Sequence, residues 1–481
     1  MDKIGKSFSW SFFDKVTTQV ISLAVSVVLA RLIDPWHYGI IALAAIVVEI
    51  FDAFVNPGIC SALVQKKETD SLDYDSMFVF NSIVGIILFF LVCVVSDGIE
   101  QFYKIDKLSI VIRVLALKIP FASFGSIQVA FVQKNFLYRR YFWVSLFGTL
   151  VAGCAGVILA YKGFGVWALV VNSLGNTIID TLLAVFFIPW RPSFRFSEKR
   201  FNQLFSFGQK IFFVKLIDLG YERISNLIIG KKYTSSDLAC NDKGQRFPQL
   251  IVNNIIRPMS EVLFPSFSSI QDDKKRTTSI FMLASSVSSC ILFPVLFGFF
   301  TCADTFVSVV LTEKWIECVP YLRVTCINLL TIPVCTVIHQ AIKAQGKGSL
   351  LLKMEMIKKM VGFFFVICSV AWGKGPLYLV IAMAVAAYFA FIVDLILARK
   401  HLGISIRLHL RSITKILISC FIMSVCVFFV GIFDLVPILR LFIQFLTGVF
   451  VYILSSYCLR TGPFLYIFML LQGKSYDFHQ N

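Results

Sequence analysis

Runs of about twenty apolar residues recur from one end of this sequence to the other, separated by short polar stretches. That recurrence limits what the chain can fold into. A helix of ~20 residues spans the ~30 Å hydrocarbon core of a bilayer. The chain is 58% hydrophobic and only 15% charged, against roughly a quarter charged in soluble domains. The pattern predicts an all-α polytopic membrane protein with about 14 transmembrane helices, at about 12–32, 38–57, 77–96, 108–132, 142–161, 164–189, 206–230, 246–265, 277–301, 317–342, 349–372, 375–398, 412–433 and 436–459. No loop between them exceeds about 20 residues, which excludes a sizeable extramembrane catalytic domain. The opening MDKIGKSFSWSFFDKV does not read as a cleavable signal, because Asp14 and Lys15 interrupt its apolar run.

A net charge of +17 raises the question of nucleic acid, but there is no basic tail and no nucleic-acid motif. The Lys and Arg residues cluster in short loops instead. With both termini cytoplasmic, roughly 22 of them fall inside and roughly 11 outside, as membrane topology favours. The outside turn with Lys231, Lys232, Lys243 and nearby Arg246 runs against this rule. Thirteen cysteines lie mostly in apolar runs with no C-x-x-C and no Cys/His ligand spacing, so they read as small buried hydrophobes and not as a metal site.

The stretch 205–273 carries charge where a membrane helix should not. Lys215, Asp218 and Glu222 share one helix face at i, i+3 and i+7, and Arg257 and Glu261 stand at i, i+4 on the next helix. Ionisable groups at bilayer depth are tolerated facing a bundle interior or a watery cavity, so a polar cavity is expected. A weak repeat adds to this. LARLIDPWHYGI (29–40) and IGKKYTSSDLAC (229–240) both pass from an apolar residue through a basic one to a polar turn, 200 positions apart. The repeat predicts two six-helix lobes, 1–200 and 201–400, with two further helices and a tail in 401–481, and internal repeats are the usual build of secondary transporters.

Several segments together, LARLIDPWHYGIIALA (29–44), GFGVWALV (163–170), WRPSFRFS (190–197), LIIGKKYTSSDLA (227–239), VLFPSFSSIQDD (262–273), EKWIECVPYLRV (313–324) and LKMEMIKKMVG (352–362), resemble the polysaccharide-transporter branch of the MOP flippase superfamily, which includes the Wzx-type flippases. The chain departs from that branch at Ala239–Gly244, where relatives carry an aromatic pair. The resemblance implies a flippase, not an enzyme, in a bacterial inner membrane. It would move a polyprenyl-diphosphate-linked oligosaccharide to the outer leaflet by rocking two lobes, with membrane lipid and polysaccharide-assembly proteins as partners, no nucleic acid and no cofactor beyond H⁺ or Na⁺ as coupling ion.

A diphosphate crossing hydrocarbon needs cations to replace its hydration. Lys15, Lys210, Lys215, Arg223 and Arg257 are the expected substrate-binding residues, each with interfacial snorkelling as its plainer reading. Asp14, Glu49, Asp52, Asp218, Glu222 and Glu261 are the expected ion-coupling residues, with structural ion pairs (Lys215–Asp218, Arg257–Glu261) as the alternative. Asp180, His339 and Asp394 read as interhelical polar groups, and Asn172 and Asn176 as helix–helix hydrogen-bond partners. Pro120, Pro258 and Pro265 are expected to break their helices. Two other classes compete with the flippase: a membrane polysaccharide polymerase or ligase, which would need a large outer loop, and a MATE-like cation or drug exporter, which would want a mostly acidic cavity.

Overall fold

A computed structural model describes residues 2–55, 63–64, 66, 69–270 and 273–471, with only the backbone described for 2–9, 12, 203–204, 206–215, 406, 408, 410, 412, 467 and 470–471. All regular structure among the described residues is helical. The chain forms two compact units, Met1–Ala239 and Cys240–Asn481. The first holds α1 (Asp2–Leu32), α2 (Pro35–Asp52), α3 (Ser71–Tyr103), α4 (Leu108–Ala116), α5 (Lys118–Asn135), α6 (Tyr138–Tyr161), α7 (Val166–Phe187), α8 (Glu198–Lys232) and the first residues of α9 (Ser235–Ser268). The second holds the rest of α9, α10 (Lys274–Thr301), α11 (Ala303–Val310), a 3-10 turn (Glu313–Cys318), α12 (Val319–Leu329), α13 (Ile332–Ala344), α14 (Gly348–Trp372), α15 (Pro376–Leu402), α16 (Ile406–Ile432), α17 (Pro437–Cys458) and α18 (Gly462–Leu471).

The division falls after Ala239, because α8 packs on α2 and α3. Tyr103 Oη donates to the carbonyl of Leu227 at 3.4 Å, and the Lys231 ammonium lies 3.9 Å from the centre of the Phe102 ring.

By length and composition, eleven spans among the described residues are apolar enough to cross a membrane. The pairs α4/α5 and α12/α13 each form one such span, the latter together with the 3-10 turn. Three of the fourteen expected spans fall on α8, α9 and α14. These helices have 35, 34 and 25 residues, long enough at ~1.5 Å per residue, but their charges keep them outside the apolar set. The short helix α18 lies in the stretch expected to be a tail.

The repeat seen in the sequence recurs in the helix boundaries. Helix α1 ends at Leu32 and α2 begins at Pro35, while α8 ends at Lys232 and α9 begins at Ser235. Later, Gly163 and Gly165 precede α7, and Gly373 and Gly375 precede α15, 210 positions on. All four glycines have positive φ, at 79°, 52°, 67° and 132°, a region that side chains disfavour. Each unit thus enters a helix through the same G-x-G turn.

Prolines act unequally. Helix α4 stops at Ala116, four residues before Pro120, and α12 stops at Leu329, four before Pro333. A proline has no N–H to give the carbonyl at i−4 and its ring crowds it, so both breaks have one cause. In α9, by contrast, the helix runs unbroken through Pro248, Pro258 and Pro265, which corrects the expectation that the last two would break it.

Buried clusters in the first unit include one around Tyr74, Met77, Phe78, Ile127 and Trp190 and one around Val132, Val144, Ala184 and Ile188, and Leu29, Leu43, Ile112 and Leu115 are buried as well. In the second unit α10, α13, α15 and α16 share a core that includes Phe281, Phe293, Val337, Ile338, Leu395 and Ile416. Outside these cores lie Phe421, Phe428, Phe429, Phe442, Phe445 and Phe450, all exposed. Lipid, unlike water, takes up such a surface without hydrophobic cost.

Candidate functional site

In the first unit the charged residues of α1, α2, α6, α7 and α8 form two local constellations. At the first, Arg223 of α8 meets Glu49 of α2 at 3.0 Å. Both stay partly accessible, and the Arg223 Nε is buried without a hydrogen-bond partner. An expected substrate-binding cation and an expected ion-coupling carboxylate are therefore one ion pair. Asp52 lies one turn beyond Glu49 at the end of α2, Asp218 is half-buried on α8, and Glu222 is exposed there.

The second constellation joins α1, α6 and α7. Ser145 Oγ donates a short hydrogen bond to Asp14 Oδ1. One turn along α6, Gly148 leaves the space that Asp180 of α7 fills: a Cβ on Gly148 would stand 1.7 Å from Asp180 Oδ1. That oxygen is buried with no hydrogen-bond partner. It borders a cavity of about 320 Å³ lined by Gly125, Ser126, Tyr141, Thr177 and Thr181. Close by, Asn176 Nδ2 donates to Thr149 Oγ1 at 3.2 Å, the helix–helix bond its sequence position suggested. Asn172 packs its Cβ against Gly156.

The other expected residues are not drawn into these groups. Lys15 is exposed on α1. Lys210 and Lys215 lie on α8, but their side chains fall outside the described residues, and with them the expected Lys215–Asp218 pair. Arg257 and Glu261 are both exposed on α9, and no ion pair joins them among the described residues.

Two clusters were not anticipated. In the first unit, Asp73 and Asp75 are fully buried near the start of α3. Lys66 pairs with Asp73 at 2.6 Å, Arg195 with Asp75 at 3.0 Å, and Arg200 reaches both Asp70, at 2.9 Å, and Asp73, at 3.4 Å. The basic residues of the 190–200 segment, read in the sequence as topology signals, thus also clamp it to α3. In the second unit, His339 of α13 and Asp394 of α15 meet at 3.0 Å, as interhelical polar groups should. Glu355 and Lys358 of α14 join them. Their E-x-x-K spacing inside an apolar run was the available signal.

The second unit also carries a large apolar groove of about 890 Å³. Its walls come from α10 (Pro294, Phe299), α16 (Met423, Val427) and α17 (Phe445, Val449), with Phe306 of α11.

These features define a multi-pass membrane protein that is all-helical among the described residues. The family described as polysaccharide biosynthesis protein matches residues 28–320, and the chain belongs to it. Among its relatives is the lipopolysaccharide biosynthesis protein WzxC of Escherichia coli K12, 25% identical over 428 residues, which cover 86% of this chain and 84% of WzxC. The succinoglycan biosynthesis transport protein ExoT of Rhizobium meliloti is 21% identical, over 74% of this chain and 72% of its own length. The fold is that of the lipid II flippase MurJ in an inward closed conformation, with a TM-score of 0.76 at 15% identity over 96% of this chain and 99% of that one. It is also similar to an inward-facing MATE family multidrug resistance transporter, with a TM-score of 0.66 at 14% identity over 80% and 94% of the two chains.

Proposed function

We propose that this protein is a flippase, not an enzyme, which carries a polyprenyl-diphosphate-linked oligosaccharide across the bacterial inner membrane for lipopolysaccharide, capsule or exopolysaccharide synthesis. It has fourteen spans and cytoplasmic termini, and its two units alternate access. H⁺ or Na⁺ is the coupling ion, and polysaccharide-assembly proteins act downstream.

The apolar groove of the second unit carries the lipid-linked part of this reading. A diphosphate and its sugars need cations and hydrogen bonds, whereas a polyprenyl tail needs a long apolar surface. A groove of about 890 Å³ lined by Phe299, Phe445 and Val449 suits the tail, and a small hydrophilic cation has no use for it. Arg223 supports the head group, because its Nε is free of partners and a guanidinium fork matches phosphate oxygens. Lys15, Lys210, Lys215 and Arg257 are the further phosphate-binding cations. Asp14, Glu49, Asp52, Asp218, Glu222 and Glu261 are the carboxylates from which the coupling site is drawn.

The test follows the cargo in cells lacking this protein. The expected result is lipid-linked oligosaccharide retained behind the inner membrane, cleared by wild type and not by Arg223→Ala. A benzophenone residue replacing Phe445 should crosslink to that lipid. Oligosaccharide that reaches the periplasm normally in the deletion strain but stays unpolymerised would overturn the flippase reading in favour of a polymerase or ligase.

A further inference from the structure

Two thiols from separate elements meet in the second unit. Cys240 stands in the second turn of α9, and Cys318 ends the 3-10 turn that leads into α12. They are 2% and 1% exposed, and their side chains hydrogen-bond each other. Both are thiols in this structure.

The backbones approach closely at the same level. One turn past Cys240, a Cβ on Gly244 would stand 2.8 Å from Tyr321 Cβ, 3.0 Å from the Leu322 amide nitrogen and 3.1 Å from the Cys318 carbonyl oxygen. Residues four apart share a helix face, so the missing side chain at 244 lets the backbone that carries Cys240 come near the one that carries Cys318. The neighbourhood is packed as well. The Lys243 ammonium lies 6.0 Å from the centre of the Trp315 ring, and Phe247 meets Phe306 of α11 edge-on at 5.2 Å.

We propose that Cys240 and Cys318 form a disulfide that fastens the first turns of α9 to the start of α12.

A disulfide needs Cα atoms within ~7 Å and side chains aimed at each other. Gly244 favours the first condition, and the thiol–thiol hydrogen bond meets the second. In the sequence these cysteines read as small buried hydrophobes, but filling space does not require two sulfurs in contact. A metal would need further ligands, and among the described residues no three His, Cys, Asp or Glu side chains come together to hold one. The segment Ala239–Gly244, where the chain departs from the branch it resembles, thus supplies both Cys240 and Gly244 to one contact.

The compartment decides whether the bond forms. With both termini cytoplasmic, the starts of α9 and α12 lie at the periplasmic face, where disulfides persist. This side assignment rests on the proposed orientation; the contact between the thiols does not. The oxidant is a disulfide-bearing thiol oxidant of that compartment. The thiolate of one cysteine attacks the oxidant's disulfide, which forms a mixed disulfide and releases one oxidant sulfur as a thiol. The second cysteine then attacks the mixed disulfide. The Cys240–Cys318 bond forms and the other oxidant sulfur leaves. Two electrons and two protons pass from the cysteine pair to the oxidant, which ends as a dithiol. Because both sulfurs are buried in the folded unit, the exchange takes place as α9 and α12 come together, and the finished bond is shielded from reductant. It closes a loop through the rest of α9, α10 and α11, which restricts the unfolded chain.

The test reads the oxidation state of each of the thirteen cysteines in the full chain. Cells are quenched in acid, and free thiols are blocked with a light maleimide in denaturant. The protein is then reduced, labelled with a heavy maleimide and digested for mass spectrometry. The expected result is heavy label on Cys240 and Cys318 in most molecules, and a Cys240–Cys318 linked peptide when the reduction is omitted. Cys240→Ser should move Cys318 to the light label, and Cys318→Ser should do the same to Cys240. Light label on both in wild type, or a bond from either one to another cysteine, would overturn the proposal. Treating the purified wild type in detergent with diamide then locates the error. Thiols that are free in cells but join in detergent would fault the orientation, and thiols that stay apart would fault the contact. Neither outcome bears on whether the protein moves its cargo, which export in the deletion strain measures separately.

Discussion

Arg223 and Glu49 hold each other at 3.0 Å across α8 and α2, so a cation suited to phosphate and a carboxylate suited to ion coupling are not independent groups. Both are partly exposed, and such a pair contributes ~0–1 kcal/mol to stability. The charge-swapped double variant Glu49→Arg/Arg223→Glu should therefore melt close to wild type. If Arg223 binds the cargo's phosphate, the swap should still lose at least tenfold in transport, because the cation has moved to the other helix. Melting temperature and oligosaccharide export, measured on the same variants, separate the two roles. A swap that restores export would make the pair purely structural.

Two glycines separate side-chain from backbone crowding. A Cβ on Gly148 would meet Asp180 Oδ1 at 1.7 Å, whereas a Cβ on Gly39 would meet the Ser235 carbonyl oxygen at 1.8 Å. Overpacking of this kind costs ~1–3 kcal/mol. Gly148→Ala should be destabilising, and Asp180→Ala in the same chain should recover most of the loss by removing the offending carboxylate. Gly39→Ala should be at least as harmful and should have no such rescue, because backbone cannot be trimmed away. Thermal unfolding of the detergent-purified variants checks both.

The helix order was legible in the sequence because apolar runs and charged loops follow directly from bilayer thickness. The 200-position repeat was legible because each turn follows a basic residue, Arg31 or Lys231, and carries a polar one, Asp34 or Thr234. Partnership was legible only where it is local or where a polar group interrupts an apolar helix, as with Asn176 and with His339 and Asp394. The partner of Arg223 lies 174 positions away, and nothing in either helix alone points to it. Lys358 was hidden for a related reason. In LKMEMIKKMVG it resembles an interfacial lysine, and only α13 and α15, folded against α14, turn it into a buried counter-cation. The continuity of α9 through three prolines was equally illegible, since neighbouring helices decide whether freed carbonyls find partners.

Acid should loosen the start of α3. Asp70 caps that helix, accepting from the Asp73 amide at 3.0 Å, while Asp73 Oδ2 accepts from the Asp70 amide at 3.1 Å. The bond from the Asp73 amide, together with the nearby Arg200 and Lys66 charges, holds the Asp70 carboxyl below its usual 3.8. A carboxylate with a lowered folded pKa stabilises above its unfolded value and stops doing so as pH falls through the folded one. The cap should therefore be intact at pH 5 and above, begin to lose its contribution as pH falls below the ordinary value of 3.8, and be lost only as pH passes through the lower folded value. Protease cleavage at Lys66 should rise in acid with an acid-active protease in wild type. Asp70→Asn should flatten that rise, since its side chain caps without titrating and an Asn cap is as good as Asp. A pH profile identical in the two would place the acid sensitivity elsewhere.

The paired helix breaks give the sharpest test of whether the two units work by one device. Ala116 and Leu329 each lose their hydrogen bond because a proline stands four residues on. Pro120→Ala and Pro333→Ala restore an N–H to each position and remove the ring clash. Where a helix can heal, the exchange favours continuity by up to ~3 kcal/mol. Each variant should therefore melt no lower than wild type, and hydrogen exchange at 116–120 or 329–333 should slow. If the breaks let α4/α5 and α12/α13 bend during transport, either variant alone should export at least fivefold less while folding better. A variant that is more stable and equally active would mean that the breaks are only packing accommodations. One active and one inactive variant would assign the bending to a single unit.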